Sequence, residues 1–280
     1  MSSSSLASAL AAATSVLAEA GVPSPRVDAE LLAAHLLGES AGRVRALAYT
    51  DTPAPEGFSE LVAERARRVP LQHLTGKAYF RHLELSVGPG VFVPRPETET
   101  VAQLVIDHAA GRPLKIVDLG TGSGAIAGSI AQEVPQAEVF AVELSPLAHG
   151  WAEQNLAPLG VRLELGDLRT AFEEQNGTFD VVVSNPPYIP ALAVPNEPEV
   201  ADHDPVAALY GGGADGMELP LAAVAAAARL LKAGGYFVLE HAEVQAETIF
   251  ERMAALADWD AVATHPDLNG RARATSAIRR

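Results

Sequence analysis

An asparagine and two prolines follow an apolar stretch near the middle of the chain. Residues 179–184 are predicted to form a buried strand, and Asn185, Pro186, Pro187 and Tyr188 come directly after it. Because proline has no backbone N–H and a fixed φ, the carbonyl groups of this turn are expected to be held stiffly and to be partly free of internal partners. The side-chain oxygen of Asn185 and the carbonyl of Pro186 are two fixed acceptors, which suit an NH2 group that donates both hydrogens. Tyr188 offers a flat face to the planar group carrying that nitrogen. An ordinary Asn-Pro turn is the alternative interpretation.

A glycine-rich loop lies upstream of this turn. Residues 114–119 predict another buried strand and residues 125–132 a small-residue helix; between them stand Gly120, Thr121, Gly122, Ser123 and Gly124. Glycine lets the backbone approach a ligand closely, and the helix N-terminus adds a favourable dipole. The spacing is G-x-G-x-G and not the dinucleotide form G-x-G-x-x-G, which disfavours a nicotinamide or flavin cofactor.

Acidic residues stand at the ends of the next two predicted strands. Glu143 ends the strand over 139–142, 19 residues beyond Gly124, where a carboxylate accepts from both hydroxyls of a ribose. The loop and this acid together resemble the S-adenosylmethionine site of class I methyltransferases. That resemblance implies that Asp167 accepts from the adenine amino group and that Leu168 covers the ring. A plain Gly-Asp turn is the alternative for Asp167.

The order of elements predicts an α/β fold. Strand, loop, helix and strand alternate from residue 114, so the sheet is expected to be mixed, mainly parallel and Rossmann-like. Parallel strands meet at one edge of a sheet, so the glycine loop and Asn185 are expected to converge on one pocket. Later segments predict helices over 221–231 and 244–256, with a strand at 236–240 and a last edge strand at 274–278.

Three domains are predicted along the chain. Residues 1–69 form a helical substrate-docking domain, residues 70–93 a linking β-hairpin, and residues 94–280 the catalytic domain. Helices are expected over 6–20, over 29–37 with Asp28 as the cap, and over 56–69. In the hairpin, residues 88–90 are expected to turn the strand at 79–87 into one at 91–93. Residues 190–216 are expected to form a long loop, a substrate lid.

Arg95 stands between two prolines, so its backbone is restrained. It is either a preset anion contact or the partner of Glu97 in an ion pair, and the ion pair is the commoner case.

Composition excludes several classes of protein. The net charge is −15, and residues 101–280 hold eleven Lys and Arg against twenty-four Asp and Glu, which argues against a bulk nucleic-acid partner. The chain has no cysteine, which fits a cytoplasmic protein and excludes thiolate chemistry. No stretch reaches the length of a membrane span, and none of the eight histidines has metal-ligand spacing.

The motifs taken together resemble one family. Residues 118–127 with 185–189 are similar to amino-group methyltransferases, and residues 94–99 narrow the resemblance to the HemK-type protein glutamine methyltransferases. Residues 28–32, 71–76 and 267–271 extend it over nearly the whole chain. It implies methyl transfer from S-adenosylmethionine, without a metal, to the amide N5 of the glutamine in the Gly-Gly-Gln loop of peptide chain release factors. S-adenosylhomocysteine is the other product.

The resemblance also implies the residue roles. Asn185, Pro186 and Tyr188 are catalytic; Pro187, Phe92 and Arg95 join them in binding substrate; Asn185 also belongs to the cofactor site with residues 120–124, Glu143, Asp167 and Leu168. The chain departs from the family pattern at Glu143, where aspartate is usual, at Leu168, where an aromatic residue can occur, and at residues 80–82 and 241–242.

Three other functions remain open at this point. A ribosomal-protein glutamine methyltransferase shares the chemistry. An adenine-N6 nucleic-acid methyltransferase shares the four-residue turn but is disfavoured by the acidic charge. A non-catalytic S-adenosylmethionine-binding scaffold is disfavoured because both motifs are intact.

Overall fold

The computed structural model describes residues 4–280 and divides them into two compact units. A helical unit contains residues 4–77 together with the distant segment 195–203. A sheet unit contains residues 78–194 and 204–280. The predicted domain over 1–69 therefore corresponds to part of the helical unit, and its first three residues lie outside the described chain. Sequence reasoning did not foresee that residues 195–203 would pack with the helical unit.

The helical unit is built on five helices with one apolar core. Leu6, Leu17, Leu32 and Val44 are fully buried in it. The helices are α1 Leu6–Glu19, α2 Pro25–Leu37, α3 Ala41–Leu47, α4 Phe58–Ala66 and α5 Leu71–Thr75. The short helices α3 and α5 were not predicted.

Asp28 was predicted to cap α2, and this prediction is wrong. The helix begins at Pro25, whose fixed φ suits the first helical position, and Ser24 occupies the N-cap. Asp28 lies inside the helix and is buried, and its Oδ2 accepts from Nε of Arg65 at 2.7 Å. Arg65 also pairs with Glu199 at 2.8 Å, so a buried arginine joins α2 to the segment 195–203 within the helical unit.

The small hairpin turns earlier than was predicted. Its strands are β1 Lys77–Phe80 and β2 Leu83–Ser86, and residues 91–93 form no strand. The turn falls at Arg81, which has φ 50° and is held there by Glu99 and Glu133. The prediction rested on the glycines at 88 and 90. The side-chain contacts of Arg81 instead place the turn at a residue whose type does not favour turns.

A seven-stranded sheet forms the core of the sheet unit. Its strand order is β5-β4-β3-β6-β7-β9-β8. The strands are β3 Lys115–Leu119, β4 Glu138–Glu143, β5 Arg162–Leu165, β6 Phe179–Ser184, β7 Leu231–Glu240, β8 Trp259–Pro266 and β9 Ala272–Arg279. The first five of these in spatial order are parallel, and β9 is antiparallel to both β7 and β8. The mixed, mainly parallel sheet was predicted correctly.

The last strand was placed wrongly. β9 lies between β7 and β8, so the strand at this edge of the sheet is β8, which was not predicted, and β5 lies at the opposite edge. Most of β8 is exposed or half-buried, and only Trp259 is fully buried, so the segment shows no clear apolar period.

Helices cover both faces of the sheet. The helices α6 Glu99–Ala109, α7 Ala125–Glu133 and α8 Pro146–Leu156 contribute to one apolar core, and α11 Glu218–Leu230 and α12 Ala246–Ala255 to the other. Between these groups, α9 Pro198–His203 belongs to the helical unit and α10 Val206–Leu209 to the sheet unit. Along β6, Val181 and Val183 enter the first core and Val182 the second, which explains the continuous apolar stretch.

Within residues 4–280, no helix combines the length and apolar character that crossing a membrane requires.

Candidate active site

The glycine loop and the Asn-Pro turn leave the sheet side by side. β3 and β6 are parallel neighbours, and their register pairs Leu119 with Ser184, the last residue of each strand. The hydroxyl of Ser184 also donates to the carbonyl of Leu119 at 2.7 Å. Gly120 and Asn185 therefore start from the same level at one edge of the sheet, as the predicted topology required.

Two glycines of the loop face open space. Gly120 and Gly122 have φ 77° and 59°, and a Cβ added at either would meet no atom within 4 Å. Gly124 differs, because its Cβ would lie 2.7 Å from Cγ of Leu156. The first two glycines thus leave room for a ligand against the backbone, and the third allows α7 to pack against α8.

Glu143 ends β4 and spans the loop. Its Oε2 accepts from the backbone N–H of Gly122 at 2.8 Å and its Oε1 from that of Ser145 at 2.8 Å. Burial raises the pKa of Glu143, and these two N–H donors oppose the rise. Each carboxylate oxygen has a further lone pair, so the group can accept from a ligand without losing its backbone partners.

Asp118 lies next to the glycine loop, and sequence reasoning did not assign it to the site. Its Oδ2 accepts from the Thr121 hydroxyl at 2.6 Å and from the Ala127 N–H at 3.2 Å. Its Oδ1 is buried and has no hydrogen-bond partner among the described residues. Burial raises the pKa of Asp118 to about 7. The available signal was a carboxylate inside an otherwise apolar strand, next to the glycine loop.

Asp167 does not present an open carboxylate. Arg169 donates to Oδ1 from its backbone N–H and from Nε, each at 2.9 Å, and to Oδ2 from Nε at 3.0 Å and from a terminal nitrogen at 2.6 Å. These contacts lower the pKa of Asp167. Leu168 is buried in the apolar core beside α11.

Asn185 is held by a residue from another element. Its Nδ2 donates to Oγ1 of Thr98 at 3.2 Å, and the Thr98 hydroxyl donates to Oε1 of Glu240 at 3.2 Å. Thr98 and Glu240 are both buried. Glu240 ends β7, the strand next to β6, so the sheet itself brings this carboxylate to the turn. Sequence reasoning assigned neither residue to the site.

Tyr188 is half-buried beside the same carboxylate. Burial and the charge of Glu240 raise the pKa of Tyr188 to about 12, and the positive charge of Arg273 opposes the rise. The Tyr188 carbonyl accepts from Nε2 of Gln245 at 2.9 Å. The phenol is therefore neutral at physiological pH.

Two glycines press against the backbone of the turn. A Cβ on Gly211 would lie 2.0 Å from the carbonyl oxygen of Gly216 and 2.7 Å from that of Pro187. A Cβ on Gly216 would lie 2.2 Å from the carbonyl oxygen of Tyr188. The glycine-rich stretch at 211–216 therefore lets the chain pass directly under the turn.

Arg95 makes an ion pair, but not with the predicted partner. A terminal nitrogen lies 2.8 Å from Oδ2 of Asp204, and its guanidinium lies over the ring of Phe92, 5.0 Å from the centroid. Glu97 was the expected partner because it is near in sequence. Asp204 is 109 residues away along the chain and could not be found from spacing.

No group of three or more His, Cys, Asp and Glu in residues 4–280 has the arrangement of a metal site.

The parallel sheet with one inserted antiparallel strand, the glycine loop after β3 and the acid at the end of β4 define the Rossmann-like fold of methyltransferases. A solved structure of the ribosomal protein L11 methylase from Lactobacillus delbrueckii shares this fold, with a TM-score of 0.50 and 21% identity, over 72% of this chain and 90% of that one.

Family models match both units. One described as the PrmC N-terminal domain matches residues 8–76, and one described as the methyltransferase small domain matches residues 82–197. The release factor glutamine methyltransferase of Streptomyces coelicolor is 49% identical over 272 residues, which cover 96% of each protein. A 4-amino-L-phenylalanine/4-methylamino-L-phenylalanine methyltransferase of Streptomyces pristinaespiralis is 38% identical, over 94% of this chain and 92% of that protein. The chain belongs to the release factor glutamine methyltransferase family.

Proposed function

We propose that this chain transfers a methyl group from S-adenosylmethionine to the amide N5 of the glutamine in the Gly-Gly-Gln loop of peptide chain release factors. The observation that carries the proposal is the pairing of Leu119 with Ser184, which sets the two-acceptor turn beside the glycine loop. The names of the relatives supply the substrate protein. We place the reaction in the cytoplasm, where release factors work.

The residues of the loop fit the cofactor. Gly120 and Gly122 leave open space against the backbone, and Oδ1 of Asp118 is a buried acceptor without a hydrogen-bond donor among the described residues. When bound, S-adenosylmethionine supplies a methyl group made electrophilic by its sulfonium. We assign its binding to Asn185 and the predicted set, which is Gly120, Thr121, Gly122, Ser123, Gly124, Glu143, Asp167 and Leu168. Asp167 must share its oxygens with Arg169 or release it to accept from an adenine.

The Asn-Pro turn at residues 185–188, here called the acceptor turn, orients the substrate amide. An amide nitrogen is a poor nucleophile because its lone pair is delocalised into the carbonyl. Asn185 Oδ1 and the Pro186 carbonyl each accept one N–H, which favours a more pyramidal nitrogen with its lone pair directed at the methyl group. The contribution to rate is positioning and local dipoles, not a strong base, since the proton becomes acidic after transfer.

The remaining predicted residues form the substrate surface. Tyr188 and Pro187 lie next to the acceptors and present flat apolar faces to the glutamine amide. Phe92 adds a ring that Arg95 covers from one side while Asp204 holds the guanidinium. In this proposal Arg95 contacts the release factor loop through the part of its guanidinium that remains exposed.

The helical unit is proposed to dock the release factor away from the reacting loop. Hydrogen exchange of the full chain with and without release factor tests this role. We expect slower exchange over exposed parts of residues 4–77; identical exchange there in the saturated complex would refute docking.

Intact-mass measurement and peptide mapping test the reaction. A purified release factor is incubated with this protein and S-adenosylmethionine, and the Asn185→Ala protein serves as the negative control. One added methyl group on the loop glutamine confirms substrate, cofactor and reaction together. If the cofactor binds but no release factor is methylated, the proposal fails, and ribosomal proteins and then DNA are assayed as alternative substrates.

A further inference from the structure

The hydrogen-bond chain from Asn185 to Glu240 has a direction. An ionised carboxylate only accepts, so the single hydrogen of the Thr98 hydroxyl must point to Oε1 of Glu240. Toward Asn185 the Thr98 oxygen is then an acceptor, and the amide must present an N–H to it. The side-chain oxygen of Asn185 consequently points away from Thr98.

This direction determines what the site can recognise. An Asn185 amide with Oδ1 turned outward accepts from an NH2 group, whereas the flipped amide would present its own NH2 and repel the substrate. The two orientations have nearly the same shape, so packing alone does not choose between them. A donor-only or acceptor-only partner does.

We propose that Thr98 and Glu240 are positioning residues that fix the Asn185 amide with its oxygen toward the acceptor nitrogen. This inference rests on the proposed role of Asn185 as an acceptor for the substrate amide.

The surroundings of Glu240 support this role over a purely structural one. Its Oε2 is buried without a hydrogen-bond partner among the described residues, an arrangement that lowers stability and that a fold without functional need would avoid. The charged and titratable groups that act on it are Arg273 from β9, Glu97 next to Thr98, and Tyr188 from the turn. Burial raises the pKa of Glu240 to about 7, while the Thr98 hydroxyl, the positive charge of Arg273 and the nearby Asn185 amide oppose the rise.

Protonation of Glu240 would remove the preference for one orientation of the Asn185 amide. A protonated carboxyl donates to Thr98, whose hydrogen then turns to Asn185 and stabilises the flipped amide. The positioning model therefore requires the ionised form, and Glu240→Gln should slow turnover because a neutral amide side chain can adopt either polarity.

Two substitutions at Thr98 distinguish the orienting effect of its hydroxyl from the packing of its side chain. Thr98→Val keeps the shape and removes the hydroxyl, and Thr98→Ser keeps the hydroxyl. We expect Thr98→Val to lower kcat about tenfold or more, with little change in the KM for release factor or the Kd for S-adenosylmethionine, and Thr98→Ser to retain most of the turnover.

Thr275→Val is the matched control. Thr275 is buried like Thr98, and its hydroxyl is hydrogen-bonded to Nε2 of His241 at 2.9 Å, so the variant loses a comparable hydrogen bond that includes neither Asn185 nor Glu240. We expect similar destabilisation with normal kcat. Wild-type kcat in Thr98→Val, or equal losses in Thr98→Val and Thr275→Val, would overturn the proposal.

A measurement without substrate keeps the two proposals separate. The side-chain 15N–1H signals of Asn185, identified by their absence in Asn185→Ala, should shift and lose exchange protection in Thr98→Val but not in Thr275→Val. If the wild type methylates no release factor, the proposed function fails, and these signals alone decide the positioning role. Unchanged Asn185 signals in Thr98→Val would refute it.

Discussion

The hydroxyl of Ser184 donates to the carbonyl of Leu119 across the neighbouring strands, at 2.7 Å. Both residues are fully buried, and they end the two strands that lead into the glycine loop and the Asn-Pro turn. This bond therefore fixes the relative height of the glycine loop and the acceptor turn, beyond what the backbone ladder provides.

Ser184→Ala tests that bond. We expect the free energy of unfolding to fall by about 1–2 kcal/mol, because the buried carbonyl of Leu119 loses a partner. We also expect kcat to fall more than the affinity for S-adenosylmethionine. Chemical denaturation and steady-state kinetics measure both effects, and a variant that is less stable yet has unaltered kcat would show that the bond only stabilises the sheet.

Asn185→Ala should abolish detectable methylation while leaving cofactor binding largely intact. The variant removes an acceptor for the substrate amide, whereas the glycine loop and Glu143 remain. Asn176→Ala is the control, since Asn176 lies at the surface and accepts from Arg229 at 2.6 Å. Calorimetry with S-adenosylmethionine and single-turnover methylation are the measurements. Near wild-type turnover in Asn185→Ala would refute the acceptor role.

Glu240→Gln should make the protein more stable at high pH. The pKa of Glu240 is raised to about 7 in the folded state, so between about pH 4.5 and pH 7 the folded protein binds more protons than the unfolded chain. Stability contributed by this group therefore falls as pH rises through that window, by up to about 3 kcal/mol. We expect Glu240→Gln to unfold at higher denaturant concentration than wild type at pH 8, and the gain to vanish near pH 4. A variant that is less stable at pH 8 would contradict this.

Gly211→Ala and Gly216→Ala should disrupt the acceptor turn. Their added Cβ atoms would overlap backbone oxygens at 2.0 and 2.2 Å, which no flexible side chain can relieve. We expect losses of about 2–4 kcal/mol and of most activity. Gly150→Ala is the control within α8, because its Cβ would meet no atom within 4 Å and alanine favours a helix by about 1 kcal/mol. Thermal unfolding compares the three variants; equal stability would refute the close packing.

Glu199→Gln should destabilise the helical unit near neutral pH. The hydrogen bonds from Arg68 and Arg65 outweigh burial and lower the pKa of Glu199 to about 2. Its stabilising contribution is therefore present above about pH 4.5 and is lost as pH falls toward 2. We expect Glu199→Gln to lower the unfolding free energy by about 2 kcal/mol at pH 7 and to match wild type near pH 2. An equal loss at both pH values would point to packing and not charge.

The sequence predicted the sheet and the residues at its edge because their signals are local. The apolar strands around residues 116 and 181, the glycines of the loop and the two prolines each restrict the backbone on their own. Thr98, Glu240 and Asp204 were missed because their roles depend on partners more than eighty residues away. The turn at Arg81 was missed because side chains 18 and 52 residues away hold it, and β8 was missed because its pairing with β9, and not an apolar period of its own, decides it.

The path of the chain between the two units has a practical consequence. Residues 195–203 leave the sheet unit, supply Glu199 to Arg65 and Arg68, and return, so the backbone passes between the units three times. A protease that cuts only near residue 77 would therefore leave the two units joined by residues 194–204. An isolated fragment of residues 1–77 would lack Glu199, one of the two carboxylates that pair with its buried Arg65, and would keep only Asp28. The helical unit is completed by sequence encoded almost 120 residues after it ends, so insertions, deletions and domain exchanges in this family must respect both positions together.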